Sequence, residues 1–179
     1  MSDRLRALLD QMVNDLPVGA HAARLEAIRD MTPHAISILP APEDEPLEEF
    51  NCIMHALGIV ARLEHACGPL GRWYADTGFV RYLVAQAVLT PCGARCGAII
   101  TWSSAEGLKH AGRIVSPGRV LSKWGVGHVY EHGFDEVPVS YGNRMDFYDG
   151  VESGTVLAYL AGYVRHHGCG STVITPIGT

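Results

Sequence analysis

The sequence has no excess of basic residues. Its 14 lysines and arginines are outnumbered by 19 aspartates and glutamates, which gives a formal net charge of −5 at pH 7. Proteins that bind nucleic acid or an anionic membrane surface carry a basic patch or stripe, and nothing in this sequence predicts one. We therefore expect no nucleic-acid partner.

Long apolar runs are also lacking. No stretch approaches the roughly 20 apolar residues that a membrane-spanning helix needs. Residues 1–11 are charged and amphipathic, unlike the apolar core of a secretory signal. We expect no membrane span and a cytoplasmic location as synthesised, and export by a route without an N-terminal signal stays open as an alternative.

Cysteine is sparse, with five scattered over 179 residues. An odd number in a chain of this length predicts reduced thiols rather than a disulfide framework. Cys92 and Cys96 form a C-x₃-C pair that could bind zinc together with His128 or His132, but a second clean pair is lacking. We predict no metal and no cofactor.

The chain does contain helical periodicity near both ends and strand patterns between them. Residues 2–14 and 20–31 are predicted helices, a third helix spans 51–66, and Ser153 caps a last one. The predicted strands are 98–102, 109–115 and 119–124, with weaker candidates at 35–39, 126–132, 137–141 and 144–148. Helices followed by antiparallel hairpins indicate the α+β class.

Alternating prolines and acidic residues follow residue 39 and indicate a connecting segment. We predict a helical appendage and linker over 1–46 and a core with the C-terminal helix over 47–179. The helical pair carries no obvious chemistry, so a lid, a support for the core and a surface for a protein partner are its candidate roles.

Cys52 stands where an extended acidic segment changes into an apolar helix. Unpaired N–H groups and the helix dipole favour the thiolate at such a position, and the thiolate is the form that attacks carbonyl groups. The Cys52 N–H, beside Asn51, would supply part of an oxyanion hole. The simpler interpretation is that Cys52 is a small buried hydrophobic residue.

A catalytic cysteine needs an imidazole within hydrogen-bond reach, and another group to orient that imidazole. Our candidate base is His110, at the edge of a predicted strand and followed by the small residues Ala111 and Gly112. His55, three residues after Cys52 on the predicted helix, is a second candidate partner. For His55 the simpler interpretation is a core or helix-surface residue.

These segments together resemble a known family. Asn51-Cys52 at a helix start, the strand 97–102, the strand 110–115 and the segment 118–122 look like the core of NlpC-type, papain-like cysteine peptidases. The similarity covers residues 50–124, and His110-Ala111 with 122–125 and His132 also resembles an uncharacterised bacterial branch of that superfamily. The resemblance implies a papain-like core in which the cysteine-bearing helix packs on a small antiparallel sheet. It also implies Cys52 as nucleophile, His110 as base, and a peptide or peptidoglycan-type substrate.

The chain departs from the family pattern at two places. The family has Asp-Cys-Ser-Gly around its nucleophile, whereas Cys52 is preceded by Asn51 and followed by Ile53. The family's third polar residue is His, Asn or Gln, and the matching position here is Ser122. The candidates to orient His110 are, in order, His132, then His128 and Glu131, with Ser122 and Lys123 behind them. Two alternatives stay open: a non-catalytic binding or structural protein with the same fold, and a Cys–His acyltransferase or deamidase.

Overall fold

The computed structural model describes residues 3–40, 50–59 and 75–167, and the structural statements below concern those residues. They form five α-helices: α1 Asp3–Asp15, α2 His21–Met31, α3 Cys52–Leu57, α4 Thr77–Ala85 and α5 Ser153–His167. Six strands accompany them: β1 Ser37–Leu39, β2 Ile99–Ser104, β3 Gly107–Ser116, β4 Arg119–Lys123, β5 Val129–Gly133 and β6 Arg144–Tyr148. Two short 3₁₀ helices cover Val18–Ala20 and Val139–Tyr141.

The six strands form one sheet in the order β1-β5-β4-β3-β2-β6, and every neighbouring pair is antiparallel. The strands β2 to β5 follow one another as hairpins, which the alternating patterns and glycine-containing turns predicted. The α+β class, the N-terminal helical pair and the C-terminal helix are confirmed.

Side chains alternate between the two faces of the sheet, and each face has its own core. Helices α1 and α2 cover one face, called here the helical-pair face, where Ile100, Trp102 and Trp124 are buried. Helices α3, α4 and α5 cover the opposite face, called here the cysteine-helix face, where Ile99 and Ala111 are buried. The sheet is therefore the middle layer, and residues of one strand contribute alternately to two separate environments.

The N-terminal helical pair is one wall of this core. Leu5, Leu9 and Met12 of α1 are fully buried against the sheet. The strand that follows the pair, β1, adds to the sheet edge by pairing with β5. Residues from the predicted appendage thus share a core with the rest of the chain.

The structure corrects the predicted extent of three elements. Helix α3 ends at Leu57 rather than residue 66, because Gly58 adopts the left-handed conformation (φ 68°) that closes a helix; residues 60–66 lie outside the described part of the chain. The predicted strand 137–141 is instead a 3₁₀ turn after Pro138, with the Tyr141 N–H bonded to the Pro138 carbonyl at 3.2 Å. The predicted strand 126–132 begins only at Val129.

Over the described ranges, no helix combines the length and the apolar character needed to cross a bilayer. This agrees with the expectation of no membrane span. Among the described residues the longest helix is α5, with 15 residues, whereas a span takes roughly 20.

Strand β4 passes unusually close to β3 at Gly112. A Cβ atom at this position would lie 2.6 Å from Val120 Cγ1 and 2.9 Å from the Leu121 carbonyl oxygen. Backbone cannot give way as a flexible side chain can, so any larger residue would force the two strands apart. The glycine is required for the approach of these two strands.

We predict that Gly112→Ala lowers the free energy of unfolding by about 1–3 kcal/mol, because overpacking a close-packed site costs this much. Urea denaturation followed by circular dichroism measures it. Gly93→Ala is the matched control, since a Cβ at Gly93 meets nothing within 4 Å. Equal stability of the two variants would contradict the role given to Gly112.

Candidate active site at the start of the Cys52 helix

Asn51 fixes the start of α3. Its side-chain oxygen accepts the Met54 N–H at 2.9 Å, and its amide nitrogen donates to the Ala75 carbonyl at 2.7 Å. This is an N-cap of the usual kind, and it also ties the helix start to the residues before α4. Cys52 is consequently the first residue of the helix, as the sequence predicted.

The β3–β4 pairing ends early, and Cys52 lies at that point. Counted from the turn that joins β3 and β4, the last pair of the ladder is Arg113–Leu121. Beyond this pair β3 extends back to Gly107 and β4 extends on to Lys123. The Ile114 N–H donates to the Ala98 carbonyl on the β2 side at 2.8 Å. N–H directions alternate along an antiparallel strand, so the Ala111 N–H points to the β4 side, where no ladder partner exists.

We call this opening the β3–β4 notch, bordered by Cys52, Ala111 and Lys123. Helix α3 packs against both strands here, and the Arg113 side chain donates to the Ala56 carbonyl of α3 at 3.1 Å. The notch is therefore filled by the first turn of a helix rather than by another strand.

Burial raises the pKa of the Cys52 thiol, while the backbone N–H groups of Ala111 and Ile53 and the charge of Lys123 act in the opposite direction. The thiol is thus neutral at pH 7, in a site whose N–H groups face the sulfur. Such an arrangement favours negative charge on the sulfur once the proton leaves.

Lys123 brings a cationic group to the notch. Lys123 is only 1% exposed. Its ammonium group donates to the Gly125 carbonyl at 2.7 Å and lies 5.2 Å from the centre of the Phe50 ring. The sequence prediction ranked Lys123 behind the histidines, and only its burial beside Cys52 indicates its importance.

His110 lies in β3 with its ring on the helical-pair face. It is directly opposite Trp102 in the ladder, and the two rings are 5.3 Å apart. The Tyr141 ring stacks on it at 4.0 Å with 15° between the planes. The His110 Nε2 atom is buried and has no hydrogen-bond partner among the described residues.

Burial holds the pKa of His110 well below its usual range, and His132, His55 and Lys123 add to the effect. The ring is therefore neutral at pH 7, which is the form that accepts a proton. Since Nε2 is unpartnered, a neutral imidazole with an available nitrogen stands next to the residue whose N–H faces Cys52.

Cys52 and His110 approach the notch from opposite faces of the sheet. Cys52 packs with the core of the cysteine-helix face, whereas His110 shares a face with Trp102. The structure forms no hydrogen bond between them. On the helical-pair face, the Tyr141 ring stacks on His110.

His132 does not orient His110, contrary to our first choice for that role. Its Nδ1–H donates to the Gly133 carbonyl at 2.7 Å, so its Nε2 accepts the hydrogen of Ser122 Oγ, also at 2.7 Å. Ser122 Oγ accepts in turn from the Trp124 indole N–H at 2.9 Å. Both ring nitrogens of His132 are thereby occupied in a closed, buried network that also uses Ser122.

Two further candidates for the orienting role, His128 and Glu131, have partners elsewhere. The His128 ring lies 6.3 Å from the His21 ring, beside the helical pair. Glu131 forms an ion pair with Arg119 at 3.0 Å, near the sheet edge. No hydrogen bond or ring contact of either residue with His110 occurs in the described structure, so neither is supported as the third residue.

His55 is mostly buried and stacks on Phe50 with 6.1 Å between the ring centres. Its Nδ1 atom is buried without a partner among the described residues. Burial lowers the pKa of His55 to about 4, with further contributions from Arg113 and Lys123. His55 is therefore a second neutral imidazole close to the notch.

The two cysteines of the C-x₃-C pair, Cys92 and Cys96, form separate hydrogen bonds in the structure. The Cys92 thiol donates to the Gly93 carbonyl and the exposed Cys96 thiol to the Val115 carbonyl. Over residues 3–40, 50–59 and 75–167, no group of three His, Cys, Asp or Glu side chains could hold a metal ion.

A cavity of ≈ 280 Å³ lies between α4 and the β2–β6 edge of the sheet. Thr101 lines it, and Thr101 is paired with Ala111 in the β2–β3 ladder. The cavity is thus one strand away from the notch. Charged side chains of both signs line it: Arg81, Glu106, Arg144 and Asp146.

Comparisons of this chain with protein-family models, with curated proteins and with solved structures found no match.

We predict that the protein loses stability as the pH falls from about 6.5 toward 4. Burial lowers the pKa of His132 from 6.5 to about 4. The unfolded chain therefore binds more protons than the folded protein between these values. A shift of this size in a fully buried group corresponds to about 3 kcal/mol, and His55 and His110 act in the same direction.

Urea denaturation at pH 7 and pH 4.5 measures this loss. The control variant His166→Gln removes an exposed histidine and should keep the full pH dependence. Equal stability at the two pH values would contradict the neutral state given to the buried histidines.

Proposed function

We propose that the protein is a cysteine-dependent hydrolase of amide bonds, with Cys52 as nucleophile and His110 as general base. One observation carries the proposal. The N–H groups of Ala111 and Ile53 act on the Cys52 sulfur at the notch, and the adjacent His110 has a buried Nε2 without a partner among the described residues. The resemblance to NlpC-type peptidases points to the same two residues.

The protonation states suit this chemistry. The neutral thiol carries the proton that must be removed, and the neutral imidazole has a nitrogen that can accept it. As the sulfur attacks the substrate carbonyl carbon, His110 takes the thiol proton, and the carbon–nitrogen bond then breaks while His110 protonates the leaving amine. A water molecule, deprotonated by His110, hydrolyses the resulting thioester and regenerates the thiol.

The electrostatic surroundings support the step that creates negative charge. Lys123 and the N–H of Ala111 favour an anion at the notch. A single well-placed donor to an oxyanion lowers the barrier by roughly 3 kcal/mol. The small size of Ala111 and the early end of the ladder leave this donor without a strand partner.

By the same resemblance, the substrate class is a peptide or a peptidoglycan stem peptide. The cavity of ≈ 280 Å³ on the other side of Ala111 is the proposed site for part of that substrate. Arginine and acidic side chains both line it, which suits a ligand carrying charges of both signs.

A non-catalytic binding protein is the second candidate. The observation that favours it is the set of hydrogen bonds around His132, which leaves His110 without an orienting side chain. Cys52 and His110 also enter the notch from opposite faces. In that case the buried histidines serve only to fill the core.

We expect p-nitrophenyl acetate to acetylate Cys52, with one equivalent of p-nitrophenol released in a burst and an acetyl mass found on the peptide that contains Cys52. The expected burst is absent in Cys52→Ala and falls at least about tenfold in His110→Gln, since a positioned base contributes roughly 10²–10⁴. Cys96→Ala is the matched control, because Cys96 is an exposed thiol away from the notch.

A normal burst in Cys52→Ala, or acetylation of Cys96 at the rate of Cys52, would favour the non-catalytic protein. Circular dichroism of each variant verifies that the fold is intact.

A further inference from the structure

We propose that the cavity between α4 and the β2–β6 edge of the sheet binds the free carboxyl end of a short peptide. The Arg81 guanidinium pairs with the terminal carboxylate, and the Ser103 hydroxyl donates a hydrogen bond to the same ligand. The proposal narrows the substrate class of the proposed function. That the bound peptide is a substrate rests on that function, whereas the binding itself does not.

The first argument is the position and size of the cavity. Its floor is the cysteine-helix face of β2 and β6, where Thr101 lies opposite Asp146 and Ser103 lies opposite Arg144 in the ladder. Helix α4 forms one wall, through Val80 among others. The volume of ≈ 280 Å³ is close to the lower end of the roughly 300–1,000 Å³ found for small-molecule sites. The cavity therefore suits the end of a peptide rather than a larger molecule.

Ser103 supplies the cavity with a buried polar group that lacks a partner. The residue is 3% exposed and lines the cavity. Its carbonyl accepts the Asn143 N–H at 3.2 Å, but its hydroxyl makes no hydrogen bond with any other described residue. The Thr101 hydroxyl, by contrast, already donates to the Asp146 carbonyl at 3.4 Å. Because a buried polar group without a partner is costly, a ligand acceptor at Ser103 would be stabilising.

The charges around the cavity leave one cation without an opposite charge. Asp146 pairs with Arg144 at 3.3 Å, and Glu106 pairs with the Lys109 ammonium group. Both acidic side chains that line the cavity are therefore compensated. Arg81 has no ion-pair partner within the described ranges, so the cavity favours an anionic group.

The guanidinium of Arg81 is held in a way that leaves its outer edge available. Its Nε–H donates to the Thr77 carbonyl, four residues earlier on α4, at 3.4 Å. The two terminal nitrogens remain for a ligand. A guanidinium binds a carboxylate through two parallel hydrogen bonds, which makes a carboxylate the group expected at Arg81.

The test compares N-acetyl-trialanine, which ends in a carboxylate, with its carboxyl-terminal amide. Small apolar side chains suit the part of the cavity lined by Val80, Val84 and Leu108, and the acetyl group leaves the carboxylate as the sole charge. Isothermal titration calorimetry measures both dissociation constants with the Cys52→Ala protein, which cannot consume the peptide. We expect the acid to bind about tenfold more tightly, since amidation removes a charge-assisted hydrogen bond.

Two further substitutions in the same protein assign the binding to named side chains. Arg81→Gln should weaken binding of the acid about tenfold and abolish the difference between acid and amide. Ser103→Ala should weaken binding of both peptides about fivefold, because a hydroxyl can donate to either carbonyl group.

Arg165→Gln is the matched control. Arg165 is exposed, lies on α5, and donates its Nε–H to the Ala161 carbonyl at 3.1 Å, also four residues earlier. The substitution removes the same charge from the same kind of helical position, away from the cavity lining. Both dissociation constants should stay unchanged. Circular dichroism verifies that each variant is folded.

Equal affinities for acid and amide, no binding at millimolar peptide, or an acid preference that survives in Arg81→Gln would each overturn the proposal. The acetylation experiment separates such a failure from failure of the proposed function. Acetylation of Cys52 without a preference for the acid refutes the carboxylate site alone. An acid preference that depends on Arg81, without acetylation of Cys52, supports the site and refutes the hydrolase.

Discussion

The early end of the β3–β4 ladder is the constraint on which the candidate site depends. Gly112 lets β4 cross within van der Waals distance of β3, and the pairing stops at Arg113–Leu121. The next backbone donor on that side, the Ala111 N–H, is left without a strand partner. Because a buried N–H must find an acceptor, the start of α3 takes that place and brings Cys52 with it.

The notch brings together a thiol and imidazole groups in a setting that keeps them neutral at pH 7. Burial raises the pKa of Cys52 and lowers that of His110, so no thiolate–imidazolium pair forms before a substrate arrives. The closed network of His132, Ser122 and Trp124 keeps its own hydrogen bonds and adds rigidity to the helical-pair face. Stability and candidate chemistry therefore depend on the same buried imidazoles.

The N-terminal helices do more than cover the sheet. The apolar stripe of α1 packs on the helical-pair face, while Arg6 holds the turn that carries Tyr141. A segment predicted as an appendage is therefore part of the core and contacts the surroundings of His110. The long sequence separation between Arg6 and Val137 explains why no local pattern could indicate this.

The sequence alone determined the features that depend on neighbouring residues. The α+β class, the hairpins β2–β3 and β3–β4, and Cys52 at a helix start follow from periodicity and turn residues, whereas the structure shows Asn51 as the cap of that helix. The prediction missed two local features, the end of α3 at Gly58 and the 3₁₀ turn after Pro138. Other features appeared only in the tertiary structure: the partners of His132 and the face occupied by His110. Strand register and the packing of segments far apart in the chain decide which side chains meet. A one-residue change of register would move every side chain to the other face.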